Sequence, residues 1–228
     1  MTSRGAIFDM DGTLADSTEL AYLAARDGLV DYYRERGLEP RIPSRSDLTA
    51  LLGLPSLEYF AGLLPPERRA DAAALRSCVS RHERDHLAAG RGRLFDGVWE
   101  MLQRLRERGF RLGLVSNCGQ NYLDANLEHL RLREVMEVAY CLDHLPSKIE
   151  NVRAALADLG CREGVMVGDR RADIEAGRAN GLRTVGCTYG FGTREELAEA
   201  DVRIDAPREL PAVLERAFPD LPARRITG

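Results

Sequence analysis

The chain of 228 residues contains a single lysine, Lys148; every other cationic side chain is an arginine. It has five cysteines (Cys78, Cys118, Cys141, Cys161, Cys187), none in a CxxC pair. An odd, scattered set suits free thiols that pack as small apolar side chains in a reducing compartment better than it suits a disulfide framework. No run approaches the roughly 20 apolar residues of a membrane span, and no charged leader precedes an apolar signal core. A cytoplasmic location is expected. Basic excess is missing too: the formal net charge is -4, without the positive stripe of a nucleic-acid binder. Any anionic ligand must therefore be met locally. What is present is 44% hydrophobic and 30% charged residues, enough to bury a core without staples.

Short β-favouring runs alternate with helical patterns. Strands are expected at residues 5–9, 111–116, 138–142, 164–168, 183–187 and 202–205, with helices between them at 98–108, 120–130, 148–159 and 173–180. Gly109, Gly160 and Gly181 stand where those helices should stop. Repeated crossovers of this kind predict an α/β fold, a doubly wound parallel sheet covered by helices on both faces. Residues 16–91 break the rhythm. They show helical patterns, including 19–36 and 66–89, and no convincing strand, so they read as an inserted helical domain. Leu20, Leu23 and Val30, flanked by Tyr22, Leu29 and Tyr33, give its first helix a broad apolar face. Residues 88–93 form a return linker with two glycines, which leaves 1–15 and 92–228 as the core. The tail from Phe218 to Gly228 has two prolines and little periodicity, and a loop is expected there.

In an open parallel sheet, ligands bind beyond the carboxyl ends of the strands. Polar residues following apolar runs are therefore the candidates, and four places qualify. Asp9 and Asp11 end the first run, and Gly12 lets the chain turn away. Ser116 and Asn117 end the second, with Gly119 beside a helix start whose backbone N–H groups suit an anion. Lys148 opens a helix. Asp169 and Asp173 follow the run ending at Gly168, four apart, and converge if a helix starts near Arg170. Four carboxylates at one sheet edge repel one another unless a cation binds among them. Hard oxygen donors, with no thiolate or imidazole at these positions, select Mg2+ over zinc. Metal and lysine together would let a phosphate approach the acids.

The ordered set Asp9-x-Asp11-Gly12-Thr13-Leu14, Ser116-Asn117, Lys148 and Gly168-Asp169-x-x-x-Asp173 resembles the haloacid dehalogenase superfamily, over nearly the whole chain. The helical insertion resembles the C1-type cap of its phosphoglycolate phosphatase-like group, as do Asp16-Ser17 and residues 186–197. The resemblance implies an Mg2+-dependent phosphatase acting on a small phosphorylated metabolite. In it, Asp9 would be the nucleophile and Asp11 the acid and then the base. The metal would be held by Asp9, the backbone carbonyl of Asp11, and Asp169, supported by Asp173. Ser116 and Asn117 would hold phosphate oxygens, and Lys148 would pair with the phosphate and Asp9. These roles are chemically coherent, because metal and lysine keep one carboxylate ionised while its neighbour carries a proton. One departure is Ser147-Lys148-Ile149, where the family often has proline after the lysine. The protein is expected to be a monomer or homodimer with no nucleic-acid or membrane partner.

Other readings share these motifs. A dehalogenase has no use for Asp11 or the metal; a phosphomutase, a pyrophosphatase and a nucleotidase would use the same residues. A binding protein on the same scaffold would not turn over substrate. His82 and His86, four apart in the polar run from Arg81 to His86, are read as part of a solvated helix side rather than a metal site. Gly53, in the turn Leu52-Gly53-Leu54-Pro55, and Arg45 are the candidate substrate contacts from the cap.

Overall fold

The computed structural model describes residues 3–219, so most of the tail at 218–228 lies outside the described residues. In chain order it contains β1 (Ser3–Phe8), β2 (Ala15–Asp16), α1 (Thr18–Arg34), α2 (Arg45–Ala50), α3 (Ser56–Gly62), α4 (Ala72–Ala88) and β3 (Arg93–Leu94). There follow α5 (Val98–Glu107), β4 (Phe110–Val115), α6 (Gln120–His129), β5 (Val138–Tyr140) and α7 (Lys148–Asp158). The chain continues through β6 (Cys161–Gly168), α8 (Arg171–Ala179), β7 (Arg183–Cys187), β8 (Val202–Ile204) and α9 (Leu210–Ala217).

Six strands form one parallel sheet in the order β5-β4-β1-β6-β7-β8. Its strands are covered on both faces, which is why they read as unbroken apolar runs. Ala6 and Phe8 face a core shared with α5, α6 and α9, through residues such as Leu102, Leu127 and Leu214. Ile7 points the other way, onto Val152 and Ala155 of α7 and Ala176 of α8. The chain leaves β1 towards β4 on one side and later returns to β6 on the other. Strand order thus reverses at β1, and the crevice at such a point opens over its carboxyl end, where Asp9 follows Phe8.

Between β2 and β3, which pair antiparallel, runs the helical segment. The sequence pattern missed this pair because each strand is two residues long. The segment has its own core, made chiefly where α1 and α4 pack together. The face of α1 matches the expected one at Leu20, Leu29 and Tyr33 and departs from it elsewhere. Leu23 and Val30 are only half-buried, whereas Ala21, Ala24, Ala25, Gly28, Leu29 and Tyr32 are buried. Small residues allow a close helix approach, and a Cβ on Gly28 would lie 2.5 Å from Val79 Cγ2. The pattern read as one helix over 66–89 divides into a 3-10 stretch, Pro66–Asp71, followed by α4. Proline at the first position suits a helix start, and the tighter turns lead into α4. Among the described residues, no helix is long and apolar enough to cross a membrane.

Candidate active site

The turn after β1 carries two of the acids. Asp9 N–H donates to Val167 O across the sheet, and the chain then folds back so that Leu14 and Ala15 N–H both reach Met10 O. Gly12 makes this possible with φ of 86°. It also lets the backbone approach β6, because a Cβ there would lie 2.3 Å from Asp169 Oδ2.

Lys148 is brought in from the first turn of α7. Ser147 caps that helix: its hydroxyl accepts from Glu150 N–H and donates to Glu150 Oε2. The cap fixes the helix start that proline after the lysine would otherwise favour. From there Lys148 Nζ donates to Asp9 Oδ1 (2.6 Å) and to Asp173 Oδ1 (2.5 Å). All three side chains are buried, with Lys148 7% exposed. Asp173 is positioned by its own helix, since Arg170 N–H donates to its Oδ2 at 2.8 Å. Helix α8 starts one residue after Arg170, and the expected convergence of Asp169 and Asp173 is what is found.

Asp169 is held by Thr13 Oγ1 (3.1 Å) and by the backbone N–H groups of Phe191 (2.7 Å) and Gly192 (3.3 Å). Carboxylate oxygens of Asp9, Asp169 and Asp173 lie within 4.8 Å of one another. Burial, then the charge of Asp173, pushes Asp169 up to about 7. Burial likewise drives Asp9 well above the usual carboxylate range, against the pull of Lys148 and with Asp173 and Asp169 adding to the rise. Lys148 is held charged by the two carboxylates, which outweigh its own burial. One ammonium thus faces three buried acids. The donor set is all oxygen, so this surplus of negative charge fits a hard divalent cation such as Mg2+.

Asp11 stands beside the trio rather than in it. It is half-buried, and Tyr122 on α6 donates to its Oδ1 at 2.8 Å. Burial raises its pKa, partly offset by that hydroxyl and by Lys148. Asp9, Asp11, Ser116 and Asn117 all line one cavity of about 80 Å³ between the sheet edge and the helical segment. Ser116 Oγ accepts from Cys118 N–H (3.3 Å). Asn117 turns its side chain to the helical segment, donating to Gly53 O (3.0 Å), and its own carbonyl accepts from Ser56 N–H (3.2 Å). Arg170 adds a third tie, donating to Leu52 O at 2.8 Å. The first N–H of α6 is already taken by Asp143 Oδ2, at 2.7 Å.

Gly53 lines the cavity. Arg45 does not: it pairs with Glu19 at 2.5 Å and lies over the Tyr22 ring, on the exposed side of the helical segment. Aromatic and acidic neighbours on α1 hold it there. His82 and His86 bond Asp31 and Asp27 of α1 (2.8 and 2.9 Å), tying two helices together. The polar run containing them is not wholly solvated, however. Glu83 is 9% exposed and lines the cavity, together with Arg76 and Tyr59, none of which the sequence pattern marked. Polar residues in a helix give no hydrophobic signal of which face turns inward.

With this geometry in hand, known proteins offer comparison. Residues 6–187 match the family model of haloacid dehalogenase-like hydrolases. The chain is 34% identical to the phosphoglycolate phosphatase of Synechococcus elongatus over 214 residues, covering 90% of this chain and 93% of that protein. It is 28% identical to pyrophosphatase PpaX of Anoxybacillus flavithermus, covering 91% and 95%. Among solved structures, a predicted phosphoglycolate phosphatase from Haemophilus somnus superposes with a TM-score of 0.79 over 93% of this chain and 98% of that one. Its sequence identity is 19%, so this last is a likeness of fold.

Proposed function

We propose that this chain, which belongs to the haloacid dehalogenase-like hydrolases, is an Mg2+-dependent phosphatase that hydrolyses a small phosphate monoester through an aspartyl-phosphate on Asp9. The observation that carries the reading is the placement of Asp9 at the sheet's reversal point. There it is gripped by Lys148, grouped with Asp169 and Asp173, and beside Asp11 on one cavity wall. Residues 16–91 act as the cap and residues 1–15 and 92–228 as the core.

Asp9, Asp169 and Asp173 would hold the metal, with the backbone carbonyl of Asp11. A bound Mg2+ supplies positive charge that lets phosphate approach the acids and polarises its oxygens. The chain's own residues do the rest. The Asp9 carboxylate attacks phosphorus as the ester P–O bond breaks, and Asp11 gives its proton to the departing alcohol oxygen. The raised pKa of Asp11 suits that first role. Now a base, Asp11 takes a proton from water, which attacks the phosphorus of the aspartyl-phosphate and regenerates Asp9 with release of inorganic phosphate. Lys148 holds Asp9 Oδ1 and orients the carboxylate. Ser116 and Asn117 bind phosphate oxygens from the end of β4, and Gly53 contacts the rest of the substrate.

The test is phosphate release from a panel of phosphorylated metabolites, including phosphoglycolate, sugar phosphates, nucleotides and pyrophosphate, with and without Mg2+. Mg2+-dependent release is expected, and Asp9→Asn abolishes it while the fold survives. An Asp9→Asn variant with near-parental turnover removes the covalent route. A sugar phosphate isomerised without net release points instead to a phosphomutase.

A further inference from the structure

Helix α4 presents two faces. Leu75, Cys78 and Val79 pack into the helical segment's own core. Arg76, Ser80 and Glu83, spaced four and three apart, share another face, and that face lines the cavity opposite Asp9 and Asp11. The two charged members are not equivalent. Arg76 is already engaged, because its Nη2 donates to Asp143 Oδ2 at 2.7 Å. Its guanidinium also closes over Gly119, where a Cβ would come within 2.1 Å of that nitrogen. Glu83 is nine-tenths buried with the Ser80 hydroxyl as its hydrogen-bonding neighbour. No ion pair reaches it among the described residues. Asp11 adds repulsion from across the cavity, and the nearby arginines, Arg76 and Arg84, offset it only partly.

A buried carboxylate that faces a cavity without a cation is costly unless something entering the cavity donates to it. The other polar groups around it, Ser56, Tyr59, Ser80 and Asn121, are neutral hydrogen-bonding groups. A second anion on the substrate would meet Glu83 and Asp11, with the charge of Arg76 already countered by Asp143. Resting on the phosphatase reading above, we infer that Glu83 is a specificity-determining residue that accepts hydrogen bonds from the alcohol half of the substrate. That alcohol carries hydroxyl or ammonium donors and no second anionic group. The favoured class is therefore polyol, sugar or amino-alcohol phosphates, ahead of phosphoglycolate or pyrophosphate. Burial also pushes Glu83 up to about 7, with the charge of Asp11 adding to the rise.

The test compares kcat/KM, with Mg2+, for glycerol 3-phosphate, ethanolamine phosphate, phosphoglycolate and pyrophosphate, in the parent and in Glu83→Gln and Glu83→Asp. The parent should favour one or both donor-bearing esters over the two anionic substrates by about tenfold or more, the scale of a hydrogen bond to a charged group. Which ester leads separates a hydroxyl from an ammonium donor. Glu83→Gln should shrink that ratio about tenfold, chiefly through KM, and Glu83→Asp should restore part of it. A parent that prefers either anionic substrate overturns the inference without needing any variant. So does a Glu83→Gln protein of parental melting temperature in which all four substrates change by one common factor. Release from some substrates with the ratio unmoved defeats only this inference, whereas no release from any of the four defeats the phosphatase reading with it.

Discussion

Replacing Lys148 with methionine removes the ammonium that bridges Asp9 and Asp173 while keeping an apolar stem of similar length. Both partners are buried, so the change strands two carboxylates that have little access to water. Breaking a buried pair from one side costs about 3–5 kcal/mol, and for a chain of this size each kcal/mol moves the melting temperature by roughly 2–4 °C. The metal-free variant should therefore melt about 6–20 °C below the parent near pH 7.5. The deficit should depend on pH. Asp9 is already pushed up by burial, and without the opposing pull of Lys148 it rises further above its unfolded value. The folded variant then binds more protons than the unfolded chain, so its stability falls as pH rises, and the deficit shrinks on acidification towards pH 5. Mg2+ should recover much of the loss, because a cation among Asp9, Asp169 and Asp173 replaces the missing charge. Differential scanning calorimetry at three pH values, with EDTA or Mg2+, reads all of this. A melting temperature within about 2 °C of the parent at pH 7.5, or a deficit indifferent to pH and Mg2+, refutes the electrostatic account.

Other expectations follow from the same contacts. In the metal-free parent, burial and the charge of Asp173 push Asp169 up to about 7, far above its unfolded range. It should therefore lend stability at acid pH that is lost as pH rises through about 7. Mg2+ must displace that proton, so its affinity should weaken below about pH 7; calorimetric titration at pH 6 in two buffers of different ionisation enthalpy should show proton release. Gly28→Ala puts a Cβ 2.7 Å from Val79 Cα, which forces α1 and α4 apart and should cost about 1–3 kcal/mol by urea denaturation. An unchanged midpoint there would mean the helices part freely.

Asp9, Ser116 and Asp169 could be read from sequence because each sits where an apolar run gives way to a polar residue, whereas Lys148 stood out as the one lysine, at a helix start. A parallel sheet buried on both faces writes such runs plainly. What happens between segments is written far less plainly. Helices α2 and α3 are six and seven residues long, too short for a clear period, and the turn between them is held by Asn117 and Arg170 from distant parts of the chain. Nothing local says that Asn117 will serve the helical segment as well as the site. Glu83 escaped notice for a related reason: Arg81 and Arg84 beside it are exposed, and only packing distinguishes the inward position. On α1, the expected face was right at Leu20, Leu29 and Tyr33 but not at Leu23 and Val30, and Gly28 and three alanines, which it left out, mark where another helix comes close.

Because the sequence has one lysine, and that lysine bridges Asp9 and Asp173, isotope labelling of lysine alone installs a single-site spectroscopic reporter. Growth on 15N-lysine would give one side-chain ammonium signal, sheltered by burial from rapid exchange with solvent, and one backbone amide from the first turn of α7. Both resonances need no assignment. Titrating in Mg2+, inorganic phosphate or a trapped phosphate analogue would then show, from one nucleus, when each component reaches the two carboxylates it holds.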